Sequence, residues 1–279
     1  MPCTGPPWMR VPGSFSSLFF LLLLATAPAR AEEPCSAFEA LRQEVPEAVE
    51  RLLGQPFVSA EDSLQGLRGI QCWLMEDHDQ RGLFADVYVQ VTEEIESGIR
   101  QGLYDDPDWV HRLLVNFANL YREALEHDWH QETDRIPRAW RVSFASSRQN
   151  RDPAALQLLL AMNAHISRDM IEALLVSDTD FKSRSRRHDY ERINDALSTV
   201  APRAWDALKR WGGGRSLTPK ALRQAVVVDW MHQRRDESWD YAERLSRMSP
   251  HSREHWERVI DAAVARESAA LGHLGLLIR

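Results

Sequence analysis

Three cysteines in 279 residues are too few for a disulfide-stapled scaffold, and 13 glycines with 14 prolines exclude a collagenous or low-complexity chain. Strict polar–apolar alternation is missing, which argues against a half-buried sheet. No glycine-rich phosphate loop, G-x-S-x-G elbow, C-x-x-C pair or EF-hand loop is present, so those nucleotide, hydrolase, redox and calcium chemistries have no footing here. An excess of positive charge is also lacking. The formal net charge of −7 makes nucleic acid and anionic membranes poor partners. What remains is ample apolar material, 44% against 27% charged, and hence a folded core.

The first thirty-one residues read as a leader. Leu18-Phe19-Phe20-Leu21-Leu22-Leu23-Leu24-Ala25 is shorter than the ~20 residues a bilayer span needs. Arg10 precedes it and Ala29-Arg30-Ala31 follows as an A-x-A cleavage site, the pattern of a secretory signal peptide over 1–31. Met9 is an alternative start to Met1. No lipobox cysteine stands at the cleavage point, and no later run is apolar for long enough to cross a membrane. The expectation is an exported protein without an integral membrane segment, periplasmic or extracellular. Losing Arg10 and Arg30 takes the net charge from −7 to −9. Cys3 leaves with the leader, and Cys35 and Cys72 are expected to form one disulfide in an oxidising compartment. A catalytic thiol is the other reading of that pair.

The rest of the chain follows a 3.6-residue period, with starts marked by a capping residue and proline at Asp106-Pro107, Asp152-Pro153, Thr218-Pro219 and Ser249-Pro250. Helices are expected near 36–53, 60–75, 80–102, 107–131, 153–176, 188–210, 219–247 and 250–277. In 107–131, for example, Val110, Leu114, Phe117, Tyr121 and Leu125 form one stripe. This predicts an all-α, single multi-helix bundle of about eight helices with no sheet. Residues 177–187 form a polar loop, and Gly212-Gly213-Gly214 a hinge. The expected organisation is therefore a helical core over 32–211 and a C-terminal helical hairpin over 212–279 packed on it. The basic run Lys182-Ser183-Arg184-Ser185-Arg186-Arg187 is either a solvated stretch or an anion-docking patch.

One helix does not look like scaffolding. Residues 153–176 are apolar around most of their circumference, as a central helix should be. Yet Asn163 falls in the middle of the arc set by Leu156, Leu159, Leu160, Ile166 and Met170, while His165 and Asp169 lie beside Leu158 and Met162. Buried amide, imidazole and carboxylate groups are costly unless paired, and His165 and Asp169 are i,i+4 neighbours. Either they bond to each other while Asn163 ties this helix to another, or they form half of a metal site or a base with its orienting acid.

The stretch Phe117-Ala118-Asn119-Leu120-Tyr121, then Pro137-Arg138-Ala139-Trp140, then Leu158-Leu159-Leu160-Ala161-Met162-Asn163-Ala164-His165-Ile166-Ser167-Arg168-Asp169 resembles a bacterial family known as domain-of-unknown-function family 5995. Its pattern looks like F-A-x-x-Y … W … L-L-G-M-N-A-H-I-x-x-D, and Phe84, Tyr88 and Thr92 upstream, with Asp189-Tyr190 and Asn194 downstream, also look like it; Asp86, Tyr88, Thr92, Asp189 and Asn194 are secondary candidates prompted by the same likeness. The similarity covers roughly residues 75–205, with Ala161 where Gly is common and Met170 where Leu is common. It implies an all-helical fold and supplies no activity. H-x-x-x-D on a buried helix is also similar to part of the secreted zinc-dependent phospholipase C and single-strand nuclease group, which uses a mature N-terminal Trp as a ligand. Here that position is Glu32.

Two further patterns are weaker. His127, His130 and Asp134 suit either a metal or a helix C-terminus. His251-Ser252-Arg253-Glu254-His255 matches H-x-x-E-H, but in a first helical turn where polarity is expected. The first hypothesis is therefore an exported all-α enzyme, a metal-assisted hydrolase of a small or lipid-like substrate. It has His165 and Asp169 as ligands of a divalent metal such as zinc or as an acid/base pair, with Asn163 orienting substrate. The alternative is a non-catalytic secreted binding or structural protein whose buried polar cluster specifies packing.

Overall fold

The fold is described by a computed structural model over Cys35 and residues 45–150, 152–212 and 220–277, and all regular structure among these is helical. The elements are α1 (Val45–Leu53), α2 (Ala60–Glu76), α3 (Gly82–Arg100), α4 (Pro107–Trp129), α5 (Arg138–Gln149), α6 (Ala154–Ala164), a π turn (His165–Asp169), α7 (Met170–Val176), α8 (Arg184–Arg210), α9 (Lys220–Ser246) and α10 (Pro250–Leu277). The expected signal peptide and the Thr218-Pro219 helix start lie outside the described residues. Among those described, no helix is long and apolar enough to cross a membrane.

Local chemistry sets the helix starts. Asp106 accepts a hydrogen bond from the Trp109 amide at 3.1 Å, with Pro107 in the first turn. Ser59 caps α2 through the Asp62 amide at 3.0 Å. Ser183 does the same for α8 through Arg186, so that helix begins four residues before the expected 188, inside the basic run. A serine oxygen facing an orphan amide can start a helix within a basic run, and here Arg186 and Arg187 are paired with acids. Cys35 and Cys72 are joined by a disulfide, Cα–Cα 5.2 Å, which ties the segment before α1 to α2.

The sequence reading missed α5 altogether. Its buried face is Ala139, Trp140, Ser143, Phe144 and Ser147, a helical stripe in which two serines stand where apolar residues would reveal the period. α5 also has no capping side chain of its own. Instead the Asp261 carboxylate on α10 accepts the Arg138 and Ala139 amides at 3.0 and 3.1 Å. The expected continuous helix 153–176 is interrupted by the π turn, where the Met170 amide reaches back to the His165 carbonyl.

Two apolar clusters meet along this central rod. One gathers Leu67 and Trp73 of α2, Phe84 and Tyr88 of α3, Tyr121 and Leu125 of α4, Trp140 and Phe144 of α5, and Met162 and Ile166. The other gathers Trp109, Leu113 and Leu114 of α4, Met170, Ile171 and Leu174 of α7, Tyr190 and Ile193 of α8, and Trp239 of α9. α4 serves both. Trp73, Trp109 and Trp140 are at most 2% exposed, and truncating such a side chain costs about 3–5 kcal/mol.

The last helices are fastened to the rod by polar bonds. Ser238 of α9 donates to the Ile166 carbonyl at 2.7 Å, and Asn163 Nδ2 donates to Ser268 Oγ of α10 at 3.1 Å. The Asn163 carbonyl oxygen accepts from Ser167 Oγ at 2.8 Å. Asn163→Ala strands both serines in a dry setting and should lower stability by about 1–3 kcal/mol. In urea titrations the double variant with Ser268→Ala should lose less than the sum of the two single losses, and strict additivity would contradict the bond.

Candidate functional site

The π turn widens the backbone at the point where the rod carries its polar pair, a distortion that recurs at functional positions. His165 Nδ1 lies 3.0 Å from Asp169 Oδ2, so this pair is indeed together. Asp169 is completely buried and also accepts from Trp140 Nε1 at 2.7 Å and Arg168 Nη1 at 2.7 Å. Arg168 in turn pairs with Glu172.

These contacts fix the protonation states. Burial works against an ionised Asp169, yet the His165 bond and the Arg168 guanidinium hold its carboxyl below the ordinary range. For His165 burial outweighs the pull of Asp169 and lowers its pKa from the ordinary 6.5. The pair is therefore a carboxylate and a neutral imidazole with the proton on Nδ1, which leaves a lone pair on Nε2. That Nε2 is buried and has no hydrogen-bond partner. The ring is clamped, stacked on Phe117 at 3.5 Å between centroids and met edge-on by Tyr88 at 4.6 Å. Burial and the Asp169 charge together push the Tyr88 phenol well above its ordinary 10.

His165 forms part of the wall of a cavity of about 90 Å³. Its lining is mainly apolar, including Val91, Leu113, Phe117, Met162 and Met231, with Tyr88, Thr92 and Arg235 as the other polar members. A second hollow, beside Tyr121 and Gln157, measures about 10 Å³ and suits at most one water. Arg235 is 3% exposed; its Nε donates to Asn194 Oδ1 and its Nη2 to the Tyr190 carbonyl, both at 2.8 Å. Its guanidinium lies 4.1 Å from the Tyr190 ring centroid, while the Tyr190 hydroxyl donates to the Arg235 carbonyl at 2.7 Å.

The other expected residues divide. Tyr88 and Thr92 line the cavity together with His165, and Tyr88 touches its ring. Asp86 does not, because residues two apart on a helix point to different faces. Its carboxylate accepts from Gln71 and Gln90 on one oxygen and from Arg210 and Trp211 on the other, closing the far end of α8 onto α3. Asn163 binds Ser268 and Ser167 as described and is not in the cavity wall. Asp189 is buried but accepts the Asp105 and Asp106 amides at 2.8 and 2.7 Å, which fixes the entry to α4. Asn194 enters only through Arg235. The sequence reading missed Arg235, which sits in the charged run Arg234-Arg235-Asp236-Glu237. The available signal was its register with Met231 and Trp239, four residues to either side and both buried.

A metal held by His165 and Asp169 does not fit the donor set. Both Asp169 oxygens accept protein hydrogen bonds, His165 Nδ1 faces Asp169, and of the ring nitrogens only the buried Nε2 lacks a partner. Among the described residues, one group of three is close enough to hold an ion: Asp105, His188 and Asp189. There His188 Nδ1 bonds Asp105 at 2.8 Å, and Asp189 is occupied by amides. His127 pairs with Glu132 and His130 with Glu50, rather than with Asp134. His251, Glu254 and His255 are exposed in the first turns of α10, and Glu254 bonds Arg258. Arg186 and Arg187 of the basic run are paired with Asp106, Glu191 and Asp236.

Replacing Trp140 by Phe keeps an aromatic ring but removes one donor from a buried carboxylate. Stability should fall by about 1–3 kcal/mol in urea denaturation, and no loss would show that Asp169 does not depend on that bond. No curated protein and no solved structure matches the chain. The match comes instead from a family described as a family of unknown function, DUF5995, over residues 60–274, and the chain belongs to that family.

Proposed function

We propose that the cavity is a small-molecule site of an enzyme in which His165 acts as a general base. One observation carries this reading: a histidine that lines an apolar cavity has one buried nitrogen without a partner, while its opposite nitrogen is held by a buried carboxylate. A neutral histidine in that tautomer accepts a proton at Nε2, and the adjacent carboxylate stabilises the imidazolium that forms. The apolar wall keeps bulk water from competing for the lone pair. Tyr88 and Thr92 lie on the same wall and orient the bound molecule. Hydrolysis assisted by a metal on His165 and Asp169 is not part of this reading, because their other ligand atoms are already engaged.

The leader-like segment over 1–31 and the Cys35–Cys72 disulfide support an exported protein working outside a reducing compartment.

Nitrogen-15 NMR of imidazole-labelled protein tests the central point. His165 should show a protonated Nδ1 and a bare Nε2 at neutral pH, and an imidazolium there would overturn the proposal. Linkage gives a second expected outcome. The folded protein keeps His165 neutral below the ordinary 6.5, where the unfolded chain takes up a proton. The contribution of His165 is thus full above that pH and is lost as pH falls, by at most about 1.4 kcal/mol per pH unit. His165→Gln, which keeps a donor for Asp169, should remove this part of the pH dependence between about pH 7.5 and about pH 5 in urea midpoints.

A further inference from the structure

Arg235 has an unusual electrostatic position. Other buried or nearly buried arginines meet acids: Arg81 lies against Asp79 and Asp128, Arg122 against Glu126, and Arg168 against Asp169 and Glu172. Arg235 meets an amide oxygen, a peptide carbonyl and an aromatic face, all of them neutral. The acid next to it in sequence, Asp236, is half exposed and pairs with Arg187. Among the described residues no carboxylate pairs with the Arg235 guanidinium, and its side-chain hydrogen bonds there leave from Nε and Nη2.

Burying a guanidinium without a counter-charge is costly, and an anion entering the cavity would offset that cost. Arginine presents five N–H donors in a planar fork matched to a carboxylate, and two of its three nitrogens are already held in place here. Asn194 and the Tyr190 carbonyl therefore fix the fork before any ligand enters, while the Tyr190 ring supports its plane. The rest of the cavity wall is mainly apolar, with Tyr88, Thr92 and His165 as its other polar members. One cationic anchor in a mainly apolar wall describes a definite kind of guest.

We propose that this cavity binds a small amphipathic carboxylate, with its charged end on Arg235 and its apolar body against the Leu113, Met162 and Met231 side of the wall. This rests on the reading of the cavity as a small-molecule site and names the chemical class it takes. Arg235 is a binding residue, and Asn194 a positioning residue that acts through it.

Titration calorimetry on the full chain with hexanoate, hexanamide and 1-hexanol tests this. Hexanoate should bind at least about tenfold more tightly than hexanamide, the discrimination expected of a charge-assisted pair. Arg235→Met should abolish that preference, while Arg235→Lys should retain part of it. Equal binding of the three probes by the wild type would overturn the assignment of Arg235 but leave the cavity as a small-molecule site. Binding of none would overturn both readings. A preference for hexanoate that survives in Arg235→Met would place the anion elsewhere and also overturn the assignment. If Arg235→Met does not fold, the wild-type series and Arg235→Lys decide: a lysine variant as selective as the wild type rules out recognition by the fork, and partial selectivity supports it.

Discussion

A carboxylate with no exposure to water, Asp169, organises the centre of this molecule. Left alone, such a charge would take up a proton or keep the chain from closing around it. Three donors prevent that, and they come from different places: the Trp140 indole of α5, the Arg168 guanidinium next to it in sequence, and the imidazole of His165 at the other end of the π turn. Each donor is thereby oriented. The imidazole is the one with a second nitrogen left over, so the interaction that makes the core viable also fixes which way a base would face.

The same device recurs at the periphery with a structural outcome. Asp261 ends on the first amides of α5, Asp189 on the amides before α4, and Asp86 on the last turn of α8 and Trp211. In each case a carboxylate from one helix neutralises unpaired donors of another, which fixes angle and register without a sheet to align the elements. Buried acids are therefore a poor guide to chemistry in this fold. What separates the His165 region is the leftover unpartnered nitrogen and the hollow beside it.

This explains what could be read in advance. The stripe Val110, Leu114, Phe117, Tyr121 and Leu125 made α4 visible because large apolar residues repeat without interruption. Asp106-Pro107 marked its start because capping chemistry is local. α5 was invisible because Ser143 and Ser147 occupy buried positions of its stripe, and its cap comes from Asp261, more than a hundred residues later. At the site, His165 and Asp169 stood out as ionisable residues on an apolar rod, but Asn163, equally conspicuous, ties α6 to α10. Arg235 was hidden by its charged neighbours. Whether a polar side chain faces a partner, a cavity or solvent depends on tertiary placement, and a helical wheel carries none of that.

The π turn has one more consequence. It adds a residue to a rod that would otherwise keep a constant phase, so side chains before and after it point in directions that a regular helix could not combine. Ala161, Met162 and Ile166 belong to one apolar cluster, and Met170, Ile171 and Leu174 to the other. The inserted residue works like an offset between two gears on one shaft. Removing it would restore a regular helix but rotate everything downstream by about 100°, turning α7 away from its cluster. The two halves of the interior are thus kept in step by the same backbone irregularity that presents His165.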